Sequence, residues 1–555
     1  MGITAPMLVT SCADVLPQGT CASSHTSTPL QFSLGHDTVF NPSSPIRPVA
    51  GIAQINRLPP ELLGEIFTCL LSFFCSSAYE TKEHTWLCFS QSIQVSLALS
   101  HVCRHWRAVA LTLPQLWSSI SAASHPLAIF MRLGRSRDIP LDLCTQLPPD
   151  QAIWHALHTD GYRIRSLYGH TTRIEDDNSV LSCLQFPAER LEVLVLKLSH
   201  INPSVPTKVT QPVLFQDHAP LLRTLILQSV PWLPANRFST LTCLSITHQF
   251  VGTLGSLFEF LSGTPNLEDL TLVYLLRRRG ADADLPVVNF PRLRRLTIGD
   301  VPAAFASNFL SSARLPTSMA LYLFDIERRP ISDLAFLRSE WMSALPLLAG
   351  LTRLSLAITD ADGIIAFSVT AASSSSAFRV DWQVEPSLAV AQRRNGWVES
   401  LLSLLPAACI TELWMDRWQF RDNDLEPLFR GLPSLNSVVI NDACNNVEPC
   451  VFQLLAAPVD VSLSPLCPHL STIRLIDRPS HPDALVYTLE SRRLHGYPVQ
   501  QLLIGTPLNT SQRALLEIRS PPSIKISRAG ASPSMTLPDI CFADKGHVYW
   551  PWSIR

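Results

Sequence analysis

Short apolar runs of the form LxxLxL, or a close variant, recur along most of this chain, and their period limits the fold more than any other feature. Clear copies are "LEVLVL" at Leu191, "LRTLIL" at Leu222, "LTCLSI" at Leu241, "LEDLTL" at Leu267, "LRRLTI" at Leu293, "LTRLSL" at Leu351, "ITELWM" at Ile410, "LNSVVI" at Leu435 and "LSTIRL" at Leu470. Weaker copies stand at Ile164, near Ser318, near Ala377 and at Val499. Apolar residues two apart within each run predict a strand with its leucines on one face. The segments between runs, such as "LGSLFEFLSGTPN" and "WVESLLSLLPAAC", carry helical apolar pairs. Strand then helix, repeated, predicts parallel strands in which each unit buries its leucines only against its neighbours.

The mean step of about 28 residues falls inside the leucine-rich repeat range, although single steps run from about 19 to 35. Residues 139–506 are therefore read as an irregular α/β leucine-rich-repeat-like solenoid, a horseshoe with parallel strands. The chain as a whole is classed as α+β, because a small all-α unit precedes the repeats. Residues 1–50, rich in Ser, Thr and Pro and without apolar period, read as a disordered tail. Residues 507–555 lose the period and stay unassigned.

Bulk properties narrow the partners. The 555 residues exceed what one compact core supports. Apolar residues make up 46% and charged residues 16%, so much of the surface is expected to be buried. A formal net charge of −2 and a pI near 6.8 supply no long-range attraction for nucleic acid or anionic membrane. The first residues, "MGITAPMLVTSC", have no basic leader, and Pro6 stands where a myristoylation signal wants Ser or Thr. With no apolar stretch long enough to span a bilayer, the expectation is an intracellular protein, cytoplasmic or nuclear. The 14 cysteines include no CxxC pair, which argues against a zinc knuckle and against a dense disulfide framework.

A helical texture precedes the repeats. In "INRLPPELLGEIFTCLL", Pro59 and Pro60 suit a helix start and Glu61 complements the positive end of the dipole. Leu62, Leu63, Ile66, Phe67 and Leu70 then share one helix face. After a polar break, helical spacing resumes with Leu97, Leu99, Val102, Cys103, Trp106 and Ala110, and "TLPQLWSSI" adds Leu116 and Trp117.

These stretches, "INRLPPELLGEIFTCLL" followed by "SLALSHVCRHWRAVALTLPQLWSSIS", resemble the F-box, and more closely the F-box-like proteins abundant in fungi. The resemblance covers residues 55–122. It departs from the usual pattern in the long link between the first two helices, read as an insertion at about 72–96. It implies a three-helix unit that docks on a Skp-type adaptor and, through it, a cullin-RING ubiquitin ligase. By the same resemblance Leu58, Pro59, Leu62, Ile66, Leu70, Leu97, Val102 and Trp117 line or support the adaptor interface, and the repeats capture a protein target for ubiquitination. An amphipathic helix packed only on its own domain is the plain alternative.

Strand alternation places Lys197, Gln228, Thr247, Asp269, Thr271, Arg295, Thr297, Arg353, Ser355, Glu412, Trp414, Asp416 and Arg474 on the face away from the leucines. From this set Lys197, Gln228, Asp269, Arg295, Arg353, Glu412, Trp414, Asp416 and Arg474 are the candidate target-binding residues. Trp414 among charges has the character of a binding hot spot, or packs on a neighbouring strand. Arg277, Arg278 and Arg279 with Arg292, Arg294 and Arg295 offer a phosphate-binding cluster, or an ordinary solvated turn. His101, Cys103 and His105 superficially suggest metal, but Cys103 projects from another helix face. Asp360 and Asp362 begin like a calcium loop and lack its distal glutamate. No phosphate loop, nucleophile elbow or dinucleotide fingerprint is present in the sequence. The expectation is a non-catalytic substrate receptor without cofactor or metal. A scaffold outside any ligase, and an enzyme with a hydrolytic site on the repeat loops, are its rivals.

Overall fold

The structure, a computed structural model, describes residues 55, 58–77, 85–171, 177–198, 211–248, 250–251, 253–277, 285–326, 345–361, 364–384, 398, 401–402, 405–416, 422–441, 448–456, 465–507, 524–528, 535–542, 549–550 and 552. The tail expected over residues 1–50 lies outside them. Residues 58–555 cluster as one compact unit.

That unit opens with α1 (Pro60–Ser77), α2 (Thr85–His101) and α3 (Arg104–Thr112), followed by a 3-10 turn at Pro114–Trp117. The Leu63 N–H donates to the Pro59 carbonyl at 3.1 Å, so the first hydrogen bond of α1 falls where the prolines predict its start. Cys103 caps α3, its sulfur accepting from the Trp106 N–H at 3.4 Å. Leu63, Phe67, Leu99, Val109, Ala110, Leu116 and Trp117 form a small core separate from that of the sheet. The expected insertion at 72–96 is largely helix. α1 continues to Ser77 and α2 begins at Thr85, because Leu71 and Val95 each carry the apolar period onto this core. Residues 78–84 lie outside the described residues.

One mostly parallel sheet of 17 strands follows. The strands are β1 (Ser119–Ser121), β2 (Leu141–Gln146), β3 (Ile164–His170), β4 (Val193–Lys197), β5 (Thr224–Gln228), β6 (Cys243–Thr247), β7 (Asp269–Val273), β8 (Arg295–Gly299), β9 (Ala320–Phe324), β10 (Arg353–Ala361), β11 (Ile364–Ala372), β12 (Ala377–Val384), β13 (Glu412–Asp416), β14 (Ser437–Asn441), β15 (Thr472–Leu475), β16 (Gln501–Ile504) and β17 (Lys525–Arg528). Every LxxLxL copy coincides with one of them. Equivalent leucines stack from strand to strand: Leu194, Leu225, Leu244, Leu270, Leu296 and Leu321 are successive register partners. All are fully or almost fully buried.

Three departures from the expected repeat region have physical causes. The sheet begins at Ser119 rather than near 139, because the chain passes from Trp117 into a strand that pairs with β2. It extends beyond 506 through β17, paired with β16. Within it β11 runs antiparallel to both β10 and β12. β10 and β11 pair up to Ala361 and Ile364, and β11 turns into β12 through Ser373 and Ser376, whose hydroxyls and backbone hydrogen-bond one another. Neither turn has room for the crossover a parallel pair requires. In consequence β9 lies beside β12, and β10 beside β13.

Among the described residues there are eleven α-helices. Beyond α3 they are α4 (Pro126–Ser136), α5 (Gln151–Asp160), α6 (Asp177–Ser182), α7 (Leu254–Ser262), α8 (Ala303–Ser312), α9 (Asp422–Gly431), α10 (Glu448–Leu455) and α11 (Pro482–Leu494). They cover the leucine side of the sheet. Leu257 and Phe258 of α7, Phe305 and Phe309 of α8, Phe429 of α9 and Leu489 of α11 join the core of the strands. Thr253 and Ser256 form a reciprocal capping box at the start of α7.

A left-handed residue follows each of five successive strands: Ser229, His248, Tyr274, Asp300 and Asp325, with φ between 46° and 57°. The N–H of each donates to a carbonyl of the adjacent strand: in four cases to its last residue, as from Ser229 to Thr247 at 2.8 Å and from Asp300 to Phe324 at 2.9 Å, and from Asp325 to Asp381 within β12 at 3.1 Å. This bend tucks the next residue, Val230, Leu275, Val301 or Ile326, into the core.

Candidate functional site

The helical unit carries an apolar ridge outside its closed core. Leu62, Ile66, Leu70 and Phe73 succeed one another along one side of α1, with Leu62 at 52% and Phe73 at 69% exposure. Leu63 and Phe67, one position on, are sealed inside. Leu97 on α2 and Val102 just beyond it are also exposed. Pro59 is exposed, and Leu58 is half-buried with its carbonyl 3.4 Å from Nε2 of His105. Trp117 is the exception among the eight expected interface residues. It is 1% exposed, its indole N–H donates to the Ala110 carbonyl at 2.9 Å, and the Arg135 and Arg132 guanidinium groups lie over its ring. It supports the unit from within and does not line a surface.

His101, Cys103 and His105 do not converge: Cys103 is a helix cap and His105 faces Leu58. Among the described residues no three of His, Cys, Asp and Glu are grouped to hold a metal ion.

The sheet face opposite the leucines is the second candidate surface. One register row crosses seven strands in the order Asp269, Arg295, Ala320, Ala377, Ala372, Arg353, Glu412. Three alanines thus form a floor between two arginines, each backed by a carboxylate strand neighbour. Arg295 bridges to Asp269, with Nη2 donating to Oδ2 at 2.8 Å, and Arg353 donates to the Ser373 carbonyl. In the adjoining rows the Tyr322 hydroxyl donates to Asp381 at 2.9 Å, and Arg379 donates to the same carboxylate. Burial first, then the Asp381 charge, pushes the Tyr322 hydroxyl far above its ordinary range.

Of the other expected residues, Trp414 bonds through its indole N–H to Glu412, and Asp416 accepts from Asn441 at 2.6 Å. Arg474 stands on β15 beside Val439 and Leu503. Lys197 and Gln228 are register partners on β4 and β5, away from the alanine floor. The nine therefore share a face but do not make one cluster. Of the arginine cluster, Arg294 is 4.0 Å from Glu268 and Arg295 is held by Asp269, while positions 278 and 279 lie outside the described residues. Asp360, the penultimate residue of β10, pairs with Ile365, and position 362 is likewise not described.

The chain's C-terminal residues lie across the alanine floor. Cys541, Trp550 and Trp552 are buried with Ala320, Tyr322, Ala372 and Ala377, and Met535, Leu537, Ile540 and Phe324 pack around them. Arg295 donates to the Phe542 carbonyl at 3.2 Å, and the Tyr549 ring stacks on Phe324 with centroids 6.0 Å apart. Gly299 admits this stack, since a Cβ there would meet the Phe324 ring at 2.1 Å. Burial pushes the Cys541 thiol up to about 12, against the pull of Arg295 and Arg353. Sequence periodicity misses the alanines, the Tyr322 network and the covering segment, because none belongs to the leucine pattern. Three aromatic residues within "YWPW" in an otherwise polar tail are the signal that would have found it.

The chain matches no protein-family model and no curated protein.

Proposed function

We propose that this protein is a non-catalytic substrate receptor of F-box type, with the unit read over residues 55–122 docking on a Skp-type adaptor of a cullin-RING ligase. Its strands and helices form a leucine-rich-repeat-like solenoid that presents a target for ubiquitination. The receptor works by proximity: one end fixes the protein to the ligase, the sheet holds the target, and raised local concentration promotes transfer by other subunits.

The observation that carries this reading is the ridge of Leu62, Ile66, Leu70 and Phe73 standing outside a core already closed by Leu63, Phe67 and Trp117. Full burial of an aliphatic or aromatic side chain stabilises by roughly 1.5–3 kcal/mol, so a partner covering the ridge recovers several such increments. Co-expression with a Skp-type adaptor is expected to give a one-to-one complex. Replacing Leu62→Glu and Ile66→Glu together is expected to abolish it while the circular dichroism spectrum stays unchanged, since both residues already face solvent. An intact chain that never co-purifies with the adaptor removes the ligase reading.

A second reading, a protein-interaction scaffold whose helical unit closes the end of the sheet, is favoured by Arg132. From α4 its guanidinium reaches the Ser119 carbonyl of β1 at 3.1 Å and Ser96 of α2 at 2.7 Å, tying helices to the first strand.

A further inference from the structure

The covering segment is attached differently from everything else on the sheet. Residues 535–542 add no strand to it; their backbone bonds are local, Cys541 N–H to Pro538 and Phe542 N–H to Asp539. What holds them is side-chain packing on the alanine floor, the Tyr549 stack on Phe324 and the Arg295 bond to Phe542. The floor itself is complete without them. Ala320, Ala377 and Ala372 keep both ladders, and the leucine core on the other side is sealed independently. A row of three small residues between two arginines is shaped to receive large side chains. The occupant supplies them as Trp550 and Trp552, whose rings meet edge to face 4.9 Å apart. This is the chemistry of an aromatic hot spot seated in a pocket.

We propose that the middle of this sheet face is a docking surface for a polypeptide segment with closely spaced aromatic residues, and that residues 535–542 with Tyr549, Trp550 and Trp552 occupy it as a built-in competitor. The partner as captured target rests on the receptor reading; the surface and its occupant do not. Aromatic rings of the partner replace Trp550 and Trp552 on the alanines, and a backbone carbonyl replaces that of Phe542 on Arg295. A target lacking such residues does not displace the segment, so the same contact that blocks the surface also sets its selectivity.

The test cuts the occupant loose after the sheet has folded. A protease site is placed among residues 529–534 of the full chain, the purified protein is cleaved, and a fluorescent peptide of residues 535–555 is added. The expected result is exchange of the labelled peptide into the cleaved protein, with little binding to uncleaved protein. A peptide carrying Trp550→Ala and Trp552→Ala should bind about tenfold more weakly or worse. After the segment is washed away, the remaining chain should keep one cooperative thermal transition. Independently, Ala377→Leu in the uncut chain fills the floor and should speed alkylation of Cys541 about tenfold or more, because the thiol is then no longer covered. Retention of the segment against excess peptide, or loss of the thermal transition on its removal, marks a permanent structural cap and overturns the proposal; so does Cys541 protection unchanged in Ala377→Leu. Adaptor binding is measured in parallel: its failure with peptide exchange intact sinks the receptor reading and leaves the docking surface standing.

Discussion

Arg132 is 3% exposed and donates to neutral acceptors: the carbonyls of Ser119 and Ile93 and the Ser96 hydroxyl. Burial, followed by the nearby Arg135 charge, lowers its pKa to about 10. A guanidinium is suited to this position because its planar fork reaches several acceptors while its face lies on Trp117. Arg132→Ala removes these three bonds from a buried charged donor, each contributing about 1.5–3 kcal/mol, so urea unfolding should shift to lower concentration by at least one such increment. Arg132→Lys should recover only part, since an ammonium serves fewer of the three. The same device recurs at Arg492, fully buried and donating to the Leu455, Leu466 and Cys467 carbonyls. Neither arginine stands out in the sequence. Both sit on helices whose polar residues read as solvated, and only tertiary packing reveals that they are inside.

Five successive strands, β5 to β9, are each followed by a left-handed residue that the leucine pattern does not predict, yet a local signal for it exists. Directly after the runs come "SV", "YL", "DV" and "DI" at positions 229, 274, 300 and 325: one residue in the left-handed region, then one apolar residue buried at once. Aspartate, used twice, tolerates this conformation better than most residues. Ser229 tests the idea without an aromatic stack to confuse it. Ser229→Val places a β-branched side chain at φ 57°, and the left-handed conformation costs such a residue about 1–2 kcal/mol. Its thermal midpoint should fall, while Ser229→Gly should hold or raise it. Strand positions were legible because alternation survives in every copy. The antiparallel β11 was not, because "IIAFSVTAA" has β-branched residues but no LxxLxL frame, and its direction depends on two short turns.

At the scale of the whole molecule, the helical unit and the sheet are continuous. Trp117 closes the small core, and two residues later β1 is paired with β2. Ser92 donates to Ser119 at 3.1 Å across this junction. Removing residues 55–122 therefore deletes the first strand as well as the ridge, and uncovers the backbone edge of β2. A chain beginning at residue 123 should be markedly less soluble on ultracentrifugation than the intact chain. Full solubility with an unchanged melting curve would instead leave the helical unit a dispensable appendage and weaken the scaffold reading. The opposite end is guarded differently, by a four-residue strand with Lys525 exposed and Arg528 at its terminus. Sequence reading found the helical spacing of Leu62, Ile66 and Leu70 because that spacing is local. It could not place the C-terminal residues, whose partners on β9, β11 and β12 are distant in the chain.

The reversed strand β11 separates two stretches in which order along the chain equals order in space. Within either stretch a duplicated unit, such as β13 with its following helix, lengthens the ladder without contradicting any neighbour. Across the reversal no such copying is allowed, because losing β11 alone would force β12 to turn around. Gene duplication can thus tune the reach of either arm separately, while the reversal stays as a fixed landmark between them.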